Sequence, residues 1–272
     1  MFKANYHTHT TFCDGKDTPE DIVKQAVALD MTHLGFSGHV DPDVHMDFPA
    51  YYKEIERLKS FGEENRLDIL TGVELDVLYE PPFSGDVEYI IGSTHFLDVE
   101  TEEPLSVDSS PEHVSFICET FYSGDYYRMA KAYYDLESTV YDRLHCTFIG
   151  HFDLITRFND DMHFLDESDP RYLKSALSAM EYLVKKDVPF EINCGAVNRR
   201  RKKELYPHPT LLRALHDMGG RIIINSDAHQ KELLMGAFPQ AKESAISCGF
   251  KTSYILEHDA SGKVIWREIP LE

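Results

Sequence analysis

The sequence predicts an α/β fold in which parallel strands close into a barrel. Short apolar runs rich in β-forming residues alternate with segments of helical periodicity, and this alternation is typical of a parallel α/β sheet. A chain of 272 residues is long enough to bury a substantial core. Because no repeat, low-complexity linker or change of composition divides it, we expect one domain over residues 1–272.

Seven apolar runs are predicted to be strands. They are Phe2–His7, His33–Gly38, Ile69–Val73, Tyr89–Thr94, Thr147–Gly150, Phe190–Asn193 and Ile222–Asn225. Seven strands are enough to close a barrel. Barrel enzymes carry their catalytic groups at the C-terminal ends of such strands, so the residues that end each run are the first candidates for a site.

The helix after the first strand has the strongest local signals. Thr18 is predicted to be its N-cap, and Pro19 takes the first helical position. Its apolar face consists of Ile22, Val23, Ala26, Val27 and Leu29. Further helices are predicted at Tyr51–Glu64, Asp125–Leu144, Pro170–Lys186, Pro209–Met218 and Ala237–Cys248.

Two segments depart from this alternation. After the last helix, residues 252–259 and 263–270 flank a turn at Ala260-Ser261-Gly262 and predict a C-terminal hairpin. The segment Asp98–Asp125 is rich in Glu, Ser, Asp and Pro but also carries aromatic residues. We expect it to be a structured loop over a site.

Charge and cysteine content exclude several classes of protein. With 27 Lys and Arg against 47 Asp and Glu, the net charge of −20 repels phosphate backbones and anionic lipid surfaces, so neither nucleic acid nor a membrane is expected as a partner. The 5 cysteines are scattered without a CxxC motif, which predicts neither a disulfide framework nor a cysteine zinc knuckle. With no apolar run resembling a signal peptide or membrane span, we expect a cytoplasmic protein.

The first predicted strand ends in His7-Thr8-His9. Residues two apart in an extended chain project from the same face, so both imidazoles can bind one metal ion. Taken alone, this motif is weak evidence, because two polar residues can stand there by chance. Its place at the tip of a barrel strand, before Asp14-Gly15 and a capped helix, favours a metal site.

Every later predicted strand also ends in a residue that can bind a metal ion, or in an amide. The series is His39, Glu74, His95, His151, Asn193, and Asp227 followed by His229. Each has an ordinary alternative, since Glu74 can cap a helix, His95 can be a core histidine and Asp227 can form a turn. Equivalent positions on seven strands are much harder to attribute to chance, and they predict one cluster on one face of a barrel.

The candidate ligands include imidazoles and carboxylates but no thiolate. They are His7, His9, Asp14, His39, Glu74, His95, His151, Asp227 and His229. Such ligands suit Zn²⁺, Mn²⁺ or Fe²⁺. Because one ion takes about four protein ligands, we expect two or three divalent ions, with Glu74 suited to bridge. Multinuclear sites of this kind activate a water nucleophile and hold the oxygens of a phosphoryl group.

The ordered motifs resemble the PHP superfamily, named for polymerase and histidinol phosphatase. The segments that carry the resemblance are His7-Thr8-His9, Asp14, His39, Gly72-Val73-Glu74, Gly92-Ser93-Thr94-His95, Gly150-His151 and Ser226-Asp227-Ala228-His229. Gly150-His151-Phe152-Asp153-Leu154 and Glu191-Ile192-Asn193 resemble the histidinol-phosphate phosphatase branch in particular.

The resemblance implies a distorted, TIM-like (β/α)₇ barrel with three metal ions at the C-terminal ends of its strands. The implied ligands are His7, His9, Glu74 and Asp227 for the first ion, Glu74, His95 and His151 for the second, and Asp14, His39 and His229 for the third. The family often has His where this chain has Asp14, and a carboxylate is a competent ligand there.

The resemblance also implies a metal-dependent phosphomonoesterase that converts L-histidinol phosphate to L-histidinol and phosphate in histidine biosynthesis. Glu74 is then required for turnover, and Asp227 or His229 moves the proton to the leaving alkoxide.

Three alternatives stay open. A PHP phosphoesterase with another substrate, such as a nuclease, a sugar phosphatase or a phosphotyrosine phosphatase, has the same motifs, although the net charge disfavours the nuclease. A non-catalytic metal-binding accessory module is disfavoured because every ligand position is filled. A mononuclear amidohydrolase also begins with His-x-His, but Glu74 followed by His95 and His151 fits it less well.

Substrate contacts are expected on the loops at the same end of the barrel. Arg157 and Arg199 are candidates for binding phosphate, although the run of cations at 199–203 is usually a solvated face. Asn193 is a further candidate, and Glu119 can receive a cationic amine, with Phe116, Phe121 or Tyr122 beside an imidazole. Packing or exposure to solvent explains these last residues equally well. The other histidines are expected to be structural or solvated, with His45 the first exception.

Overall fold

The computed structural model describes residues 3–41, 43–44, 46–79 and 87–271. The strands of these ranges are β1 Ala4–Asn5, β2 His33–Val40, β3 Asp68–Asp76, β4 Tyr89–Ser93, β5 Phe96–Leu97, β6 Leu105–Ser106, β7 Phe148–Ile149, β8 Phe190–Asn193, β9 Ile222–Asn225, β10 Thr252–His258 and β11 Val264–Pro270. The α-helices are α1 Pro19–Ala28, α2 Phe48–Glu64, α3 Pro111–Phe121, α4 Tyr126–Glu137, α5 Val140–Leu144, α6 Asn159–Met162, α7 Pro170–Val184, α8 Gly195–Asn198, α9 Pro209–Asp217 and α10 Phe238–Ser247.

Seven parallel strands form one sheet in the order β1-β2-β3-β4-β7-β8-β9. The two ends of this sheet meet, because Thr8 forms a parallel bridge with Ala228 just beyond β9. His9 N donates to Ala228 O over 2.8 Å, and Ala228 N donates to His7 O over 3.0 Å. The sheet is therefore a nearly closed barrel flanked by helices, which confirms the predicted fold class.

The two ends of the barrel have different roles. The hairpin β10-β11 covers the end where the parallel strands begin, and Ile255 and Leu256 pack there against buried Tyr6 and Tyr89. Tyr89 crosses the barrel, and its hydroxyl, with one hydrogen to donate, lies 2.6 Å from Tyr6 O and 2.8 Å from Phe36 O. A Cβ atom on Gly72 would lie 2.3 Å from the Tyr89 ring, so only glycine leaves room for this ring inside the barrel. The opposite end of the barrel remains open.

Most of the predicted elements are confirmed. Helix α1 begins where expected, and Asp21 N donates to the side chain of Thr18 over 3.2 Å. The C-terminal hairpin also forms, and residues 259–263 close it around the predicted turn. The first strand is predicted over Phe2–His7, but its ladder with β2 is limited to Ala4–Asn5. The reason is that His7–His9 turn toward the segment after β9, across the seam where the two edges of the sheet meet. Phe2 lies outside the described residues.

The predictions for two segments, one as a single helix and one as a loop, were wrong. The predicted helix Asp125–Leu144 is divided into α4 and α5, because the hydroxyls of Ser138 and Thr139 donate to Asp135 O and Leu136 O and end the first helix. The segment Asp98–Asp125 is more regular than a loop, since it contains the short pair β5-β6 and helix α3. Ser110 caps α3 and Pro111 takes its first position, a signal that the sequence carried.

No helix within the described ranges is long and apolar enough to cross a membrane.

Candidate metal centre

The nine candidate ligands lie together at the open end of the barrel. The parallel ladder holds them level, since His39 on β2 stands opposite Glu74 on β3. His7, His9 and Glu74 are almost completely buried, and Asp14 is the most exposed of the nine, at 45% of its side chain. Seven strands that end at one level therefore bring these residues to one place, as the sequence pattern predicts.

Glu74 stands at the centre of the cluster, and its two carboxylate oxygens face different imidazoles. Oε2 lies 3.0 Å from His7 Nε2, 3.4 Å from His9 Nε2 and 3.2 Å from His39 Nδ1. Oε1 lies 3.0 Å from His151 Nε2 and 3.3 Å from His95 Nε2. A carboxylate with one oxygen on each side is suited to join two metal ions.

Three overlapping groups of atoms are close enough to hold an ion. They are His7, His9 and Glu74; His39, Glu74 and His95; and His9, Asp14, His39 and His229. Asp227 extends the first group, with Oδ1 3.8 Å from His7 Nε2 and 3.5 Å from His9 Nε2. These groups differ from the ligand sets that the resemblance implies in two ways: His9 and His39 each take part in two groups, and His151 belongs to none of the three, although its Nε2 lies 3.0 Å from Glu74 Oε1.

The donor atoms fit divalent cations. His7 Nε2, His9 Nε2 and His39 Nδ1 are buried and have no hydrogen-bond partner, although each faces a carboxylate oxygen. Buried polar atoms without a partner are rare and costly, and a cation between nitrogen and oxygen satisfies both. Imidazole and carboxylate donors suit Zn²⁺, Mn²⁺ or Fe²⁺.

The electrostatics of the cluster also favour bound cations. Burial alone would raise the pKa of Glu74, but His7, His39 and His95 together hold this pKa well below its ordinary value. Burial alone would lower the pKa of His7, but Glu191, Glu74 and Asp227 raise it well above its ordinary value. The first group therefore stabilises positive charge between His7 and the carboxylates, whether a proton or a metal ion supplies it.

A second layer of polar residues orients His7. Glu191 Oε1 lies 2.8 Å from His7 Nδ1, and since the carboxylate accepts, Nδ1 carries the hydrogen and Nε2 faces the cluster. Asn225 Nδ2 donates to Glu191 Oε1 over 3.0 Å. Asn193 Nδ2 donates to Glu191 Oε2 over 2.8 Å, while Asn193 Oδ1 accepts from Gly195 N. The completely buried Asn193 side chain thus lies below the cluster and holds Glu191.

The sequence interpretation missed Glu191, Asn225 and Asp76 as parts of the site. Asp76 accepts from His95 N over 2.6 Å and lies 3.5 Å from His95 Nδ1, so it supports that imidazole from behind. The signal was present in the alternation of strand residues. Asp76 lies two residues after Glu74 and Glu191 two residues before Asn193, hence on the same side of the strand.

Both predicted arginines reach the cleft, and each is paired with a carboxylate. Arg157 Nη1 donates to Asp108 Oδ2 over 2.6 Å. Arg199 Nη2 donates to Asp227 Oδ2 over 2.9 Å, and its Nη1 donates to His229 Nδ1 over 2.7 Å. With Nδ1 of His229 accepting, Nε2 carries the hydrogen and lies 2.9 Å from Asp14 Oδ2.

The cleft above the cluster has a volume of about 570 Å³. Glu74, Asp108, Arg157, Arg199, Asp227 and His229 are among its lining residues. Glu119 is not among them; it is exposed on α3. The cleft combines cations with the exposed edge of the ligand cluster, and its size suits a small anionic molecule.

Other histidines form ion pairs away from the cluster, His258 and His33 among them, as expected for structural residues. His258 lies between Asp68 and Glu88, with distances of 2.6 and 2.7 Å from its two ring nitrogens. His33 Nε2 is 3.6 Å from Glu257 Oε2. His45 lies outside the described residues.

Comparisons with known proteins agree with this geometry. The family model for the PHP domain matches residues 5–195. A Schizosaccharomyces pombe protein named "Probable histidinol-phosphatase" is 25% identical, over 95% of this chain and 92% of its own. A Deinococcus radiodurans protein of the same name is 28% identical, over 90% of this chain and 94% of its own.

One solved structure extends the likeness to three dimensions. It is histidinol phosphate phosphatase from Lactococcus lactis in complex with zinc, L-histidinol and phosphate. The two folds agree with a TM-score of 0.75 at 19% identity, over 97% of this chain and 98% of the other. At this identity the likeness shows a shared fold.

Proposed function

The chain belongs to the PHP domain family, and on this premise we propose that it hydrolyses L-histidinol phosphate to L-histidinol and inorganic phosphate. The observation that carries the proposal is the position of Glu74, between two groups of imidazoles and below a cleft that four arginines line, Arg157 and Arg199 to Arg201. The curated relatives carry the name of this activity, and the Lactococcus lactis structure holds both of its products.

The nine residues of the cluster would hold two or three divalent ions. His7, His9, Glu74 and Asp227 would serve the first, Glu74, His95 and His151 the second, and Asp14, His39 and His229 the third. When bound, such ions lower the pKa of water toward neutrality and neutralise the oxygens of a phosphoryl group. Zinc is the first candidate, because the Lactococcus lactis relative contains it.

The chain's own residues would bind the ester and supply a proton. Arg157 and Arg199 line the cleft and have guanidinium hydrogens beyond those that their carboxylate partners accept, so they can bind phosphoryl oxygens. The leaving alkoxide needs a proton, and Asp227 and His229 are the candidates in the cleft. His229 is the more accessible, at 20% exposure of its side chain against 5% for Asp227, and with only the first two ions bound it would keep the hydrogen at Nε2 that this step needs.

We propose that Asn193 is a positioning residue. Glu119 stays a candidate for binding the substrate amine. Both polar groups of Asn193 are engaged by Glu191 and Gly195, so its contribution to substrate binding would be indirect. Glu119 lies outside the lining of the cleft, and its role would require the substrate to extend toward α3.

The whole chain would act as one catalytic domain. The family model ends at residue 195, but Asp227 and His229 come from the segment after β9 and complete the ligand cluster. The bridge between Thr8 and Ala228 joins this segment to the first strand. We further propose a cytoplasmic location, which agrees with five cysteines that are all free.

A substrate panel tests the proposal. L-histidinol phosphate, p-nitrophenyl phosphate, nucleotides and a phosphotyrosine peptide are to be compared by kcat/KM on protein of measured metal content. We expect L-histidinol phosphate to exceed every other substrate. A preference for the phosphotyrosine peptide or a nucleotide would instead favour another PHP phosphoesterase, and absence of turnover with a full metal complement would favour a non-catalytic module.

A further inference from the structure

The run of cations from Arg199 to Lys203 is divided between three environments. Arg199 enters the cleft and pairs with Asp227. Arg200 and Arg201 also line the cleft but are exposed, and Lys203 is exposed. Lys202 points inward instead, and only 1% of its side chain is exposed. The run is therefore not a uniform solvated face, and its fourth member has an environment that neither metal binding nor phosphate binding explains.

The Lys202 ammonium group has a specific set of partners. Its Nζ donates to Thr156 Oγ1 over 2.6 Å and lies 3.8 Å from Glu167 Oε1. It also lies 5.1 Å from the centre of the Tyr206 ring, within range of a cation–π contact. Thr156 Oγ1 in turn donates to Asp153 O over 2.9 Å. The buried charge is thus compensated by a hydroxyl, a carboxylate and an aromatic face.

These contacts connect the two segments that carry the arginines of the cleft. Thr156 immediately precedes Arg157, whereas Lys202 follows Arg199 by three residues. The bond between Lys202 and Thr156 therefore joins the segment after β7 to the segment after β8. Lys203 N adds a backbone bond to Asp160 Oδ2 at 2.9 Å, which does not depend on the Lys203 side chain.

Burial of an ammonium group is costly, so a bond of this kind stabilises less than its length suggests. Its principal consequence is geometric. A lysine with nearly all of its side chain buried against fixed partners has little rotational freedom, and both backbone segments are held at one separation. Two groups that bind the same ligand gain most when they are held in place before it arrives.

We propose that Lys202 is a positioning residue that sets the separation between Arg157 and Arg199, so that both guanidinium groups meet one phosphoryl group. The inference depends on the proposed function only for the nature of the ligand, a phosphate monoester or inorganic phosphate. It assigns to a side chain outside the cleft a share of the affinity for the phosphoryl group.

The test compares Lys202→Met with Lys203→Met in the metal-loaded protein. The first removes the buried ammonium group and retains an apolar side chain, and the second removes the same charge from an exposed neighbour. Affinity for inorganic phosphate is measured by calorimetry, with thermal unfolding and metal content on the same samples. We expect Lys202→Met to weaken phosphate binding by about tenfold or more, because small misplacements of binding groups are costly. Lys203→Met should alter it by less than about twofold.

A double-mutant cycle separates positioning from general loss of structure. If Lys202 acts through Arg157, then Lys202→Met in an Arg157→Ala background should weaken phosphate binding by much less than it does alone. Two results would overturn the proposal. One is a double variant whose loss of phosphate affinity equals the product of the two single losses, and the other is a phosphate affinity of Lys202→Met within about twofold of wild type. If Lys202→Met does not fold, Thr156→Val removes the acceptor and keeps the lysine, and the same two outcomes apply.

The measurement does not depend on turnover of one substrate. Inorganic phosphate is the probe, so a wild-type protein that binds phosphate but does not hydrolyse L-histidinol phosphate would contradict the proposed function alone. The comparison of Lys202→Met with Lys203→Met would still decide the role of Lys202.

Discussion

The Nδ1 atom of His7 and the Oε1 atom of Glu191 lie 2.8 Å apart in a region that excludes solvent. The bond joins the segment just after β1 to β8, the sixth strand of the sheet order. It fixes the tautomer of His7, so that the lone pair of Nε2 is directed toward Glu74 and Asp227. Carboxylates that hold a metal-binding imidazole in this way commonly affect metal affinity as strongly as the ligands do.

The substitution Glu191→Gln should therefore impair the metal centre, although Glu191 does not line the cleft. We expect metal affinity or kcat/KM to fall by roughly 10–100-fold, the range typical for partners of ligating histidines. Metal content after dialysis against a competing chelator, together with steady-state kinetics, provides the measurement. Glu204→Gln, at an exposed position, is the matched control. Equal behaviour of the two variants would refute the role of Glu191.

Substitution Glu74→Gln should abolish turnover. The amide retains the size of the side chain but loses the charge between the two groups of imidazoles, so bound ions would lose their shared carboxylate. Steady-state kinetics and metal analysis by mass spectrometry test this, with exposed Glu63→Gln as the control. Wild-type activity in Glu74→Gln would be incompatible with the proposed centre.

The proton donor can be identified from the dependence on the leaving group. His229→Asn should lower kcat/KM for an alkyl ester such as L-histidinol phosphate by about 100-fold or more, because a poor leaving group requires protonation. p-Nitrophenyl phosphate, whose leaving group departs without a proton, should be affected by less than about tenfold. Equal losses on both esters would assign His229 to metal binding alone, and the same comparison for Asp227→Asn examines the other candidate.

Removal of metal should lower both activity and thermal stability. Ions that bind only the folded protein stabilise it by about 4 kcal/mol when present at 1,000 times their Kd, which corresponds to a fall in Tm of roughly 10 °C on removal. Chelation, calorimetry and restoration with Zn²⁺ or Mn²⁺ provide the test. A content below two ions per chain in fully active protein would refute a multinuclear centre.

His258 should make stability depend on pH far from the catalytic end. Burial lowers its pKa, but Asp68 and Glu88 outweigh this effect and raise the pKa above its ordinary value. A histidine with a raised pKa stabilises the fold fully below its unfolded pKa, near 6.5, and loses this contribution as the pH rises through its folded pKa. His258→Gln should therefore lower Tm more at pH 5.5 than at pH 9. A difference in Tm that stays constant with pH would contradict this account.

The barrel and its ligand cluster were predictable because both depend on periodic local signals. Each strand is a short apolar run, and the candidate ligand that follows it, such as Glu74 or His151, stands at a fixed place relative to that run. The parallel arrangement then brings the ligands together without further information. The ends of elements were less predictable, as the break between α4 and α5 shows, because side-chain hydroxyls there compete with the helical bonds.

The contacts around the ligands were harder to predict because they depend on pairing between distant segments. Strand alternation places Glu191 on the same side as Asn193, but it does not indicate that the group donating to Glu191 is His7, 184 residues away. Lys202 was similarly indistinguishable from its charged neighbours until the position of Thr156 was known. The expectation that Asn193 meets substrate came from its place at a strand end, but its partners on both sides leave it below the cleft.

The seam between Thr8 and Ala228 has a consequence for the order of assembly. His7 and His9 belong to the segment around the first strand, and they are synthesised well before their partner Asp227, which follows the seventh strand of the barrel. The centre therefore cannot be complete while the ribosome is still extending the first six strands, and early metal capture would engage only a partial ligand set. Once both edges of the sheet meet, an ion bound by His9 and Asp227 would hold them together across the seam. Amide hydrogen exchange at His9 and Ala228 should therefore be slower in metal-loaded protein than in metal-free protein.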